Sequence, residues 1–318
     1  AGQAVQPECP GGATGPPEVT TGDQLTDRQR QDLREMVSRH TDVFSPLPGR
    51  TRLVQHDIVT EAGKKVRLRP YRIPEARRQA IREEVAKMLD LGVIEESQSA
   101  WSSPVVLVPK PDGSWRFCND FRRLNEISQY DAYPMPRVDE LIERLGPARY
   151  ISTLDLTRGY WQVPLTPGEG KDGLRHPGRP VPVQSAAVWS PWSPATFQRL
   201  MDKILRPHRE YAAAYIDDIV IHSADWESHL RRLETVLGAL REAGLTANPA
   251  KCRLGLEEAD YLGHTVGRGC VRPQSRKVDG IANWPRPTTK RQVRTFLGLV
   301  GYYRQFIPDF ASRAAPLH

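Results

Sequence analysis

Residues 214–223 read AYIDDIVIHS, in which two adjacent carboxylates, Asp217 and Asp218, interrupt a run of β-forming residues. Ala214, Tyr215 and Ile216 precede the acids, and Ile219, Val220 and Ile221 follow them. Such a run reads as a buried strand, and burying a charge is costly unless it is paired or coordinates a metal. Two readings stand side by side. In one, the pair simply closes a hairpin, because Asp is a good turn residue. In the other, the two carboxylates raise each other's pKa and call for a divalent cation. Hard oxygen donors of this kind suit Mg²⁺, which bridges one or two carboxylates and substrate phosphates.

A third acid ends another apolar strand, in YISTLDLTRGYWQ, where Asp155 follows Ile151 and Leu154 and precedes Gly159 and Tyr160. Alone it reads as a helix N-cap. Together, three carboxylates at the ends of two adjacent strands are what a two-metal phosphoryl-transfer site needs.

The surrounding chain is patterned for alternating helices and strands. A helix is expected in QLTDRQRQDLREMVSRHTDVF, with Thr26 as N-cap and Leu33, Met36, Val37 and Phe44 apolar, and another at 74–91, with Pro74 near its first turn and Gly92 just past its end. PVVLVPK and WRFCNDF flank the turn PDGS and predict a hairpin. A helix over 225–243 carries Leu230, Leu233, Leu237 and Leu240 on one stripe and stops at Gly244. Strands are expected to about 272, followed by a basic helix with Val293, Phe296, Leu297, Val300 and Tyr303 on one face.

Length and charge narrow the class. The chain has 318 residues, and 45 Lys and Arg against 38 Asp and Glu leave a net charge of +7, which suits a polyanionic partner such as nucleic acid and equally a surface charged only for solubility. Cys9, Cys118, Cys252 and Cys270 form no C-x-x-C pair, and their spacing to His264 fits no usual zinc pattern, so reduced thiols are expected. No apolar run reaches the roughly 18 residues of a membrane span, and the start lacks a secretory signal pattern and an initiating Met, so the chain reads as a piece of a longer one.

LDLTRGYWQ, YIDDIVIHS, PVVLVPKPDGSWRFCNDFRRLN, AGLTANPAKC, YLGHTV and TFLGLVGYYRQFI, taken in order, resemble the reverse transcriptase of gypsy-type LTR retrotransposons from about residue 40 onward. The resemblance implies an α+β right-hand polymerase of fingers, palm and thumb, whose antiparallel palm sheet is backed by helices. It implies that Asp155, Asp217 and Asp218 bind two Mg²⁺ ions, with Mn²⁺ as an alternative, and that Tyr160 underlies the incoming sugar. Lys110 and Arg116 would grip the triphosphate, closing over it to neutralise charge and exclude water; without the resemblance they read as an exposed basic hairpin. Asp120 and Arg122 would meet the template, although the family's usual Val before that Asp is here Asn119. Tyr215 and the turn Tyr261, Leu262, Gly263 and His264 would meet template or primer, and the basic helix after Thr289 would meet backbone phosphates.

The implied division is a disordered segment 1–22, a linker helix and loop 23–50, fingers 51–129, palm 130–164 and 194–275, a fingers–palm hairpin 165–193, and a thumb from 276 to 318. The implied partners are an RNA template, a DNA primer and dNTPs, with no membrane. The implied setting is intracellular, in a cytoplasmic particle or the nucleus. The family's protease, RNase H and integrase signatures are not in this sequence.

One stretch departs from the family. Residues 171–193, KDGLRHPGRPVPVQSAAVWSPWS, stand where the family has a hairpin resembling KTAFxTPxGLYxFxxxPFGLxxAPATFQ. Permitted codons for this stretch, read with one base dropped, give TAFVTPDGLYQFRVLPFGLHG, and the single codon of Trp189 forces the Gly that PFGL needs. The hypothesis is a base gained near Lys171 and one lost near Ser193. It predicts that the hairpin's strands are lost, that neighbouring backbone groups go unpaired and that activity is impaired. Transcript codons across 165–200 that fail to yield PFGL in the shifted frame would sink it.

Overall fold

The computed structural model describes residues 17–69, 71–96, 101–110, 113, 115–129, 131–166, 174–175, 183–185 and 193–317. Its centre is a five-stranded sheet in the order Thr20–Thr21, Arg253–Leu256, Tyr150–Asp155, Asp218–Ser223, Ala212–Tyr215. Every neighbouring pair is antiparallel except the first, which is parallel.

Strand alternation divides the side chains between two cores. Leu154, Ile219, Ile221, Ala212, Ala214 and Leu254 face the helices Ser193–Leu205 and Trp226–Glu242. Ile151, Val220 and Ala213 face the other way, onto the short helix Val138–Glu143 and a three-stranded sheet of Glu258–Tyr261, His264–Gly267 and Cys270–Pro273. Both faces of the central sheet are therefore covered.

The helix Asp27–Arg39 begins as its sequence predicts. Thr26 accepts from the Gln29 amide while the Gln29 side chain accepts from the Thr26 amide, a closed capping box. Its apolar Leu33, Met36 and Val37 are buried in the main core with Leu25, Val43 and Phe44. The stretch expected to be a linker is thus part of the central domain. Likewise Thr20–Thr21 pairs with Arg253–Leu254, and the Gly22 amide donates to the Leu254 carbonyl, so the end of the segment expected to be disordered is an edge strand. Residues 1–16 lie outside the described residues.

The helix Trp226–Glu242 is capped by Asp225, which accepts from the Ser228 amide, and Gly244 follows it at φ +72°. The helix Glu75–Asp90 follows Pro74 and packs Ile81, Val85 and Met88 on Val105 and Leu107 of the strand Ser103–Pro109. That strand and Trp115–Asn119 form the expected hairpin. They lie in a second sheet, ordered Ile94–Glu96, Val183–Ser185, Leu174–Arg175, Ser103–Pro109, Trp115–Asn119.

The expectation of unpaired backbone around 172–193 is therefore corrected in part. Leu174–Arg175 pairs with Ser103–Pro104, and Val183–Ser185 pairs with Ile94–Glu96. Backbone pairing is indifferent to side-chain identity as long as the chain can extend. The remainder of 167–192 lies outside the described residues.

At the far end the helix Lys290–Gly301 opens with a second capping box, Thr289 with Gln292. Its apolar stripe is only half-covered, with Val300 and Tyr303 buried. No helix among the described residues is long and apolar enough to cross a membrane.

Candidate active site

Strand register assembles the acids. Tyr150–Asp155 and Asp218–Ser223 run antiparallel with Asp155 directly opposite Asp218. Asp218 also faces Tyr215 across a two-residue turn made by Ile216 and Asp217. By alternation, Asp155 and Asp218 point to the sheet face that carries Ile151 and Val220. The turn reading of the Asp pair is met by Asp217, and Asp218 next to it sits across from the third acid.

The turn is held rather than free. Ile216 has φ +57°, a left-handed conformation that costs an L-residue on the order of 1–2 kcal/mol. Its amide donates to Gln198 Oε1 at 2.7 Å, and Gln198, fully buried, donates through Nε2 to the Ala214 carbonyl at 3.0 Å and to Asp202 Oδ1 at 2.9 Å. On the other side the Leu156 amide donates to the Asp217 carbonyl at 3.2 Å. Gly159 makes the close approach possible, because a Cβ there would lie 3.1 Å from Asp217 Cβ and 3.2 Å from Phe197 Cζ.

Charge is concentrated here. Burial, and then the Asp217 and Asp155 charges, push the Asp218 carboxyl from 3.8 up to about 6. Burial and then Asp155 push Asp217 up, while burial raises Asp155 against the pull of Lys251. Lys251 Nζ lies 3.9 Å from Asp155 Oδ1. All three acids are raised mainly by desolvation, and Asp217 and Asp218 also by their acidic neighbours, so the set offers hard oxygen donors of the kind a divalent cation takes. The side chains do not close around a point, and among the described residues no three His, Cys, Asp or Glu are gathered to hold a metal ion.

Tyr160 sits beside this turn on Gly159–Gln162, its ring edge-on to Phe197 at 5.7 Å. Burial, and then the Asp217 and Asp218 charges, push its phenol well above the usual range. Arg158 just before it ion-pairs with Glu84 at 3.2 Å and stacks on Trp161 at 4.1 Å, tying the central domain to the helix Glu75–Asp90.

Lys110 and Arg116 are exposed on the hairpin Ser103–Asn119, and Pro111, Asp112 and Ser114 of its turn lie outside the described residues. Asp120 and Arg122 are engaged with each other. Arg122 donates to both Asp120 oxygens, at 2.8 and 2.6 Å, and Tyr71 Oη donates to Asp120 Oδ2 at 2.6 Å. The Arg122 bond, before all else, holds the Asp120 carboxyl far below the usual range. Asp120 therefore orients Arg122, whose side chain stays 80% exposed. Beside them Asn119 Nδ2 and Oδ1 are buried without partners, at the position where the family carries an apolar residue.

Tyr215 is half-buried beside the turn. Tyr261 and His264 pair across a tight turn of Leu262 at φ +48° and Gly263 at φ +79°. Tyr261 Oη donates to the Asp218 carbonyl at 3.2 Å, and burial pushes that phenol up. Tyr302 Oη donates to the Leu262 carbonyl at 2.6 Å and Tyr303 Oη to the Gly263 carbonyl at 2.9 Å. His264 packs against the rings of Tyr302, Tyr303 and Phe306. Gln198, Lys251 and Phe197 went unmarked by sequence reasoning, although PATFQ and NPAKC bracket them. Their roles arise from packing against elements distant in sequence.

Residues 190–266 match the model of the family "Reverse transcriptase (RNA-dependent DNA polymerase)". The chain is 35% identical over 281 residues to the retrovirus-related Pol polyprotein from transposon 297 of Drosophila melanogaster, covering 84% of this chain and 26% of that protein. It is 32% identical over 308 residues to the Pol polyprotein from transposon opus of the same species, covering 92% and 30%. The Tf2-3 transposon polyprotein of Schizosaccharomyces pombe is 29% identical over 262 residues, covering 82% and 20%. The chain thus spans about a fifth to a third of the length of these curated relatives. Among solved structures, the foamy viral protease-reverse transcriptase in complex with double-stranded DNA superposes with a TM-score of 0.84 at 25% identity, covering 92% of this chain and 52% of that one. The same viral protein with an RNA/DNA hybrid gives 0.80 at 24% identity, covering 92% and 40%.

Fold and site together define a right-hand polymerase domain with an antiparallel palm sheet. The family match and the relatives are more particular: the chain is a reverse transcriptase domain of the retrotransposon Pol polyprotein family, a family that generally uses divalent metal ions.

Proposed function

We propose that this chain is an RNA-directed DNA polymerase that extends a DNA primer on an RNA template, divided into fingers, palm and thumb as its sequence suggests. The reading rests above all on the register that sets Asp155 opposite Asp218 beside the turn bearing Asp217. Asp155, Asp217 and Asp218 would hold Mg²⁺, as two ions, with Mn²⁺ as an alternative. When bound, the metal supplies activation of the primer 3′-hydroxyl and neutralisation of charge on the phosphates.

The chain's own side chains do the rest. Tyr160, edge-on to Phe197, forms an apolar floor beside Asp217 on which the sugar of an incoming dNTP rests. Lys110 and Arg116, exposed on a hairpin, meet its triphosphate and keep water from it. Arg122, braced by Asp120 and Tyr71, meets the template backbone. The turn Leu262–Gly263 meets the primer, with Tyr215 and Tyr261 holding the palm beneath it. Foamy viral relatives are described in complex with double-stranded DNA and an RNA/DNA hybrid, which supports a nucleic-acid partner here. We place the protein inside the cell, in a cytoplasmic particle or the nucleus, where its free Cys118, Cys252 and Cys270 stay reduced.

Primer extension on an RNA template with Mg²⁺, beside an Asp217→Asn control, tests the proposal. A second reading, a nucleic-acid-binding remnant without catalysis, is favoured by one observation, the absence of the PFGL motif from the sequence of 171–193. Salt-sensitive template binding without extension above the control would select it.

A further inference from the structure

The catalytic turn has a brace that the acids themselves do not provide. Ile216 is β-branched and sits at φ +57°, where such a residue is an outlier, so its conformation has to be imposed from outside. Three contacts impose it. The Leu156 amide holds the Asp217 carbonyl, Gly159 leaves only enough room for Asp217, and Gln198 takes the Ile216 amide. Of these, Gln198 alone reaches the left-handed residue.

Gln198 is fully buried on the helix Ser193–Leu205, and three of its bonds point to one end. Its oxygen accepts from Ile216 N–H, and its amide nitrogen donates to the Ala214 carbonyl and to Asp202. The Asp202 bond fixes which way the amide faces, because a carboxylate accepts only. Asp202 is held in turn by Tyr133 Oη, which donates to Oδ2 at 2.6 Å. The relay Tyr133, Asp202, Gln198 therefore ends on the peptide that aims Asp217. The preceding residue, Phe197, carries the ring under Tyr160, so one helical turn supports both the sugar floor and the acid turn.

We propose that Gln198 is a positioning residue for polymerisation, holding the Tyr215–Ile216 peptide and with it the left-handed Ile216 that presents Asp217 beside Asp218 and Asp155. Its catalytic consequence rests on the polymerase reading above, whereas its effect on the turn does not.

The test compares wild type, Gln198→Met, which keeps volume and removes the hydrogen bonds, and the exchange Gln198→Glu with Asp202→Asn, which restores an acceptor for Ile216 and a donor opposite it. Two readouts are taken, single-nucleotide extension and hydrogen exchange of backbone amides. The expected result for Gln198→Met is a kcat lower by tenfold or more with primer–template affinity unchanged. Exchange at the Ile216 amide should quicken at least tenfold while Ile219, Val220 and Ile221 stay protected. The exchanged pair should recover part of both, because the introduced carboxylate accepts from the Ile216 amide and cannot donate to the Ala214 carbonyl. Uniformly faster exchange across the strand, or Ile216 exchange and kcat within twofold of wild type, would overturn the proposal. If wild type itself fails to extend a primer, the polymerase reading falls and the exchange pattern still decides what Gln198 does.

Discussion

The acid end of the palm and the basic hairpin of the fingers carry opposite charges and are built in opposite ways. Asp155, Asp217 and Asp218 stand on strands sealed on both faces, in a turn pinned by Gln198, Leu156 and Gly159. Lys110 and Arg116 are exposed on a hairpin. Groups that must be aimed at one reacting atom gain from a rigid setting, since misplacement by an ångström is costly. Groups that close over a ligand must be free to move and so contribute little to the fold.

Four perturbations sharpen or break that contrast. The largest effect is expected from Asp217→Asn, which should lower extension on the order of a thousandfold, as removal of preorganised charge does. Thermal melting should hold or rise, because one of three raised, mutually repelling carboxyls is gone. A melting point that fell sharply would mean that the turn, rather than the charge, had been damaged.

Gly159→Ala should come next, since its Cβ would press on Asp217 and Phe197 and the overpacking costs roughly 1–3 kcal/mol. Extension and melting temperature should fall together, in contrast to Asp217→Asn. Arg116→Ala should raise the KM for dNTP roughly tenfold, the worth of a charge-assisted hydrogen bond, and leave the melting temperature alone. Equal loss of stability from Arg116→Ala would break the contrast between the two regions.

The smallest effect concerns pH. Asp218 is raised in the folded state from 3.8 to about 6, so its protonated form is favoured by folding. In chelator, stability from this group is fully present below about pH 4, declines as pH rises through about 6, and is flat above. Asp218→Asn should flatten that slope, and a slope that persists would move its origin to another group.

Much of the fold was written locally. Thr26 with Gln29, Asp225 with Ser228, and Thr289 with Gln292 are cap signals within four residues, and each opens a helix. The hairpin at 103–119 followed from short β-runs around turn residues, and the turn at 261–264 from the family resemblance. The three acids were also legible, because charge within an apolar strand is conspicuous in sequence.

What was missed depends on distant contact. The helix Asp27–Arg39 looked like a linker because its apolar stripe does not say what covers it, and it packs against Trp226–Glu242 far along the chain. Thr20–Thr21 is too short to signal a strand and exists because Arg253–Leu254 offers a free edge. The bond from Tyr71 to the Asp120 carboxylate joins segments far apart in the chain and left no mark in the sequence. The 171–193 stretch read as lost from the sheet, yet two short strands within it pair with neighbours.

The sequence by itself determined the residue types at the site, the caps and turns, and the kinship with reverse transcriptases, because these depend on near neighbours and on ordered motifs. Tertiary structure alone decided that Asp155 faces Asp218, that Gln198 reaches Ile216, and that Lys251 stands beside Asp155. Those relations need strand order, register and helix packing, which arise only when segments distant along the chain exclude water from one another.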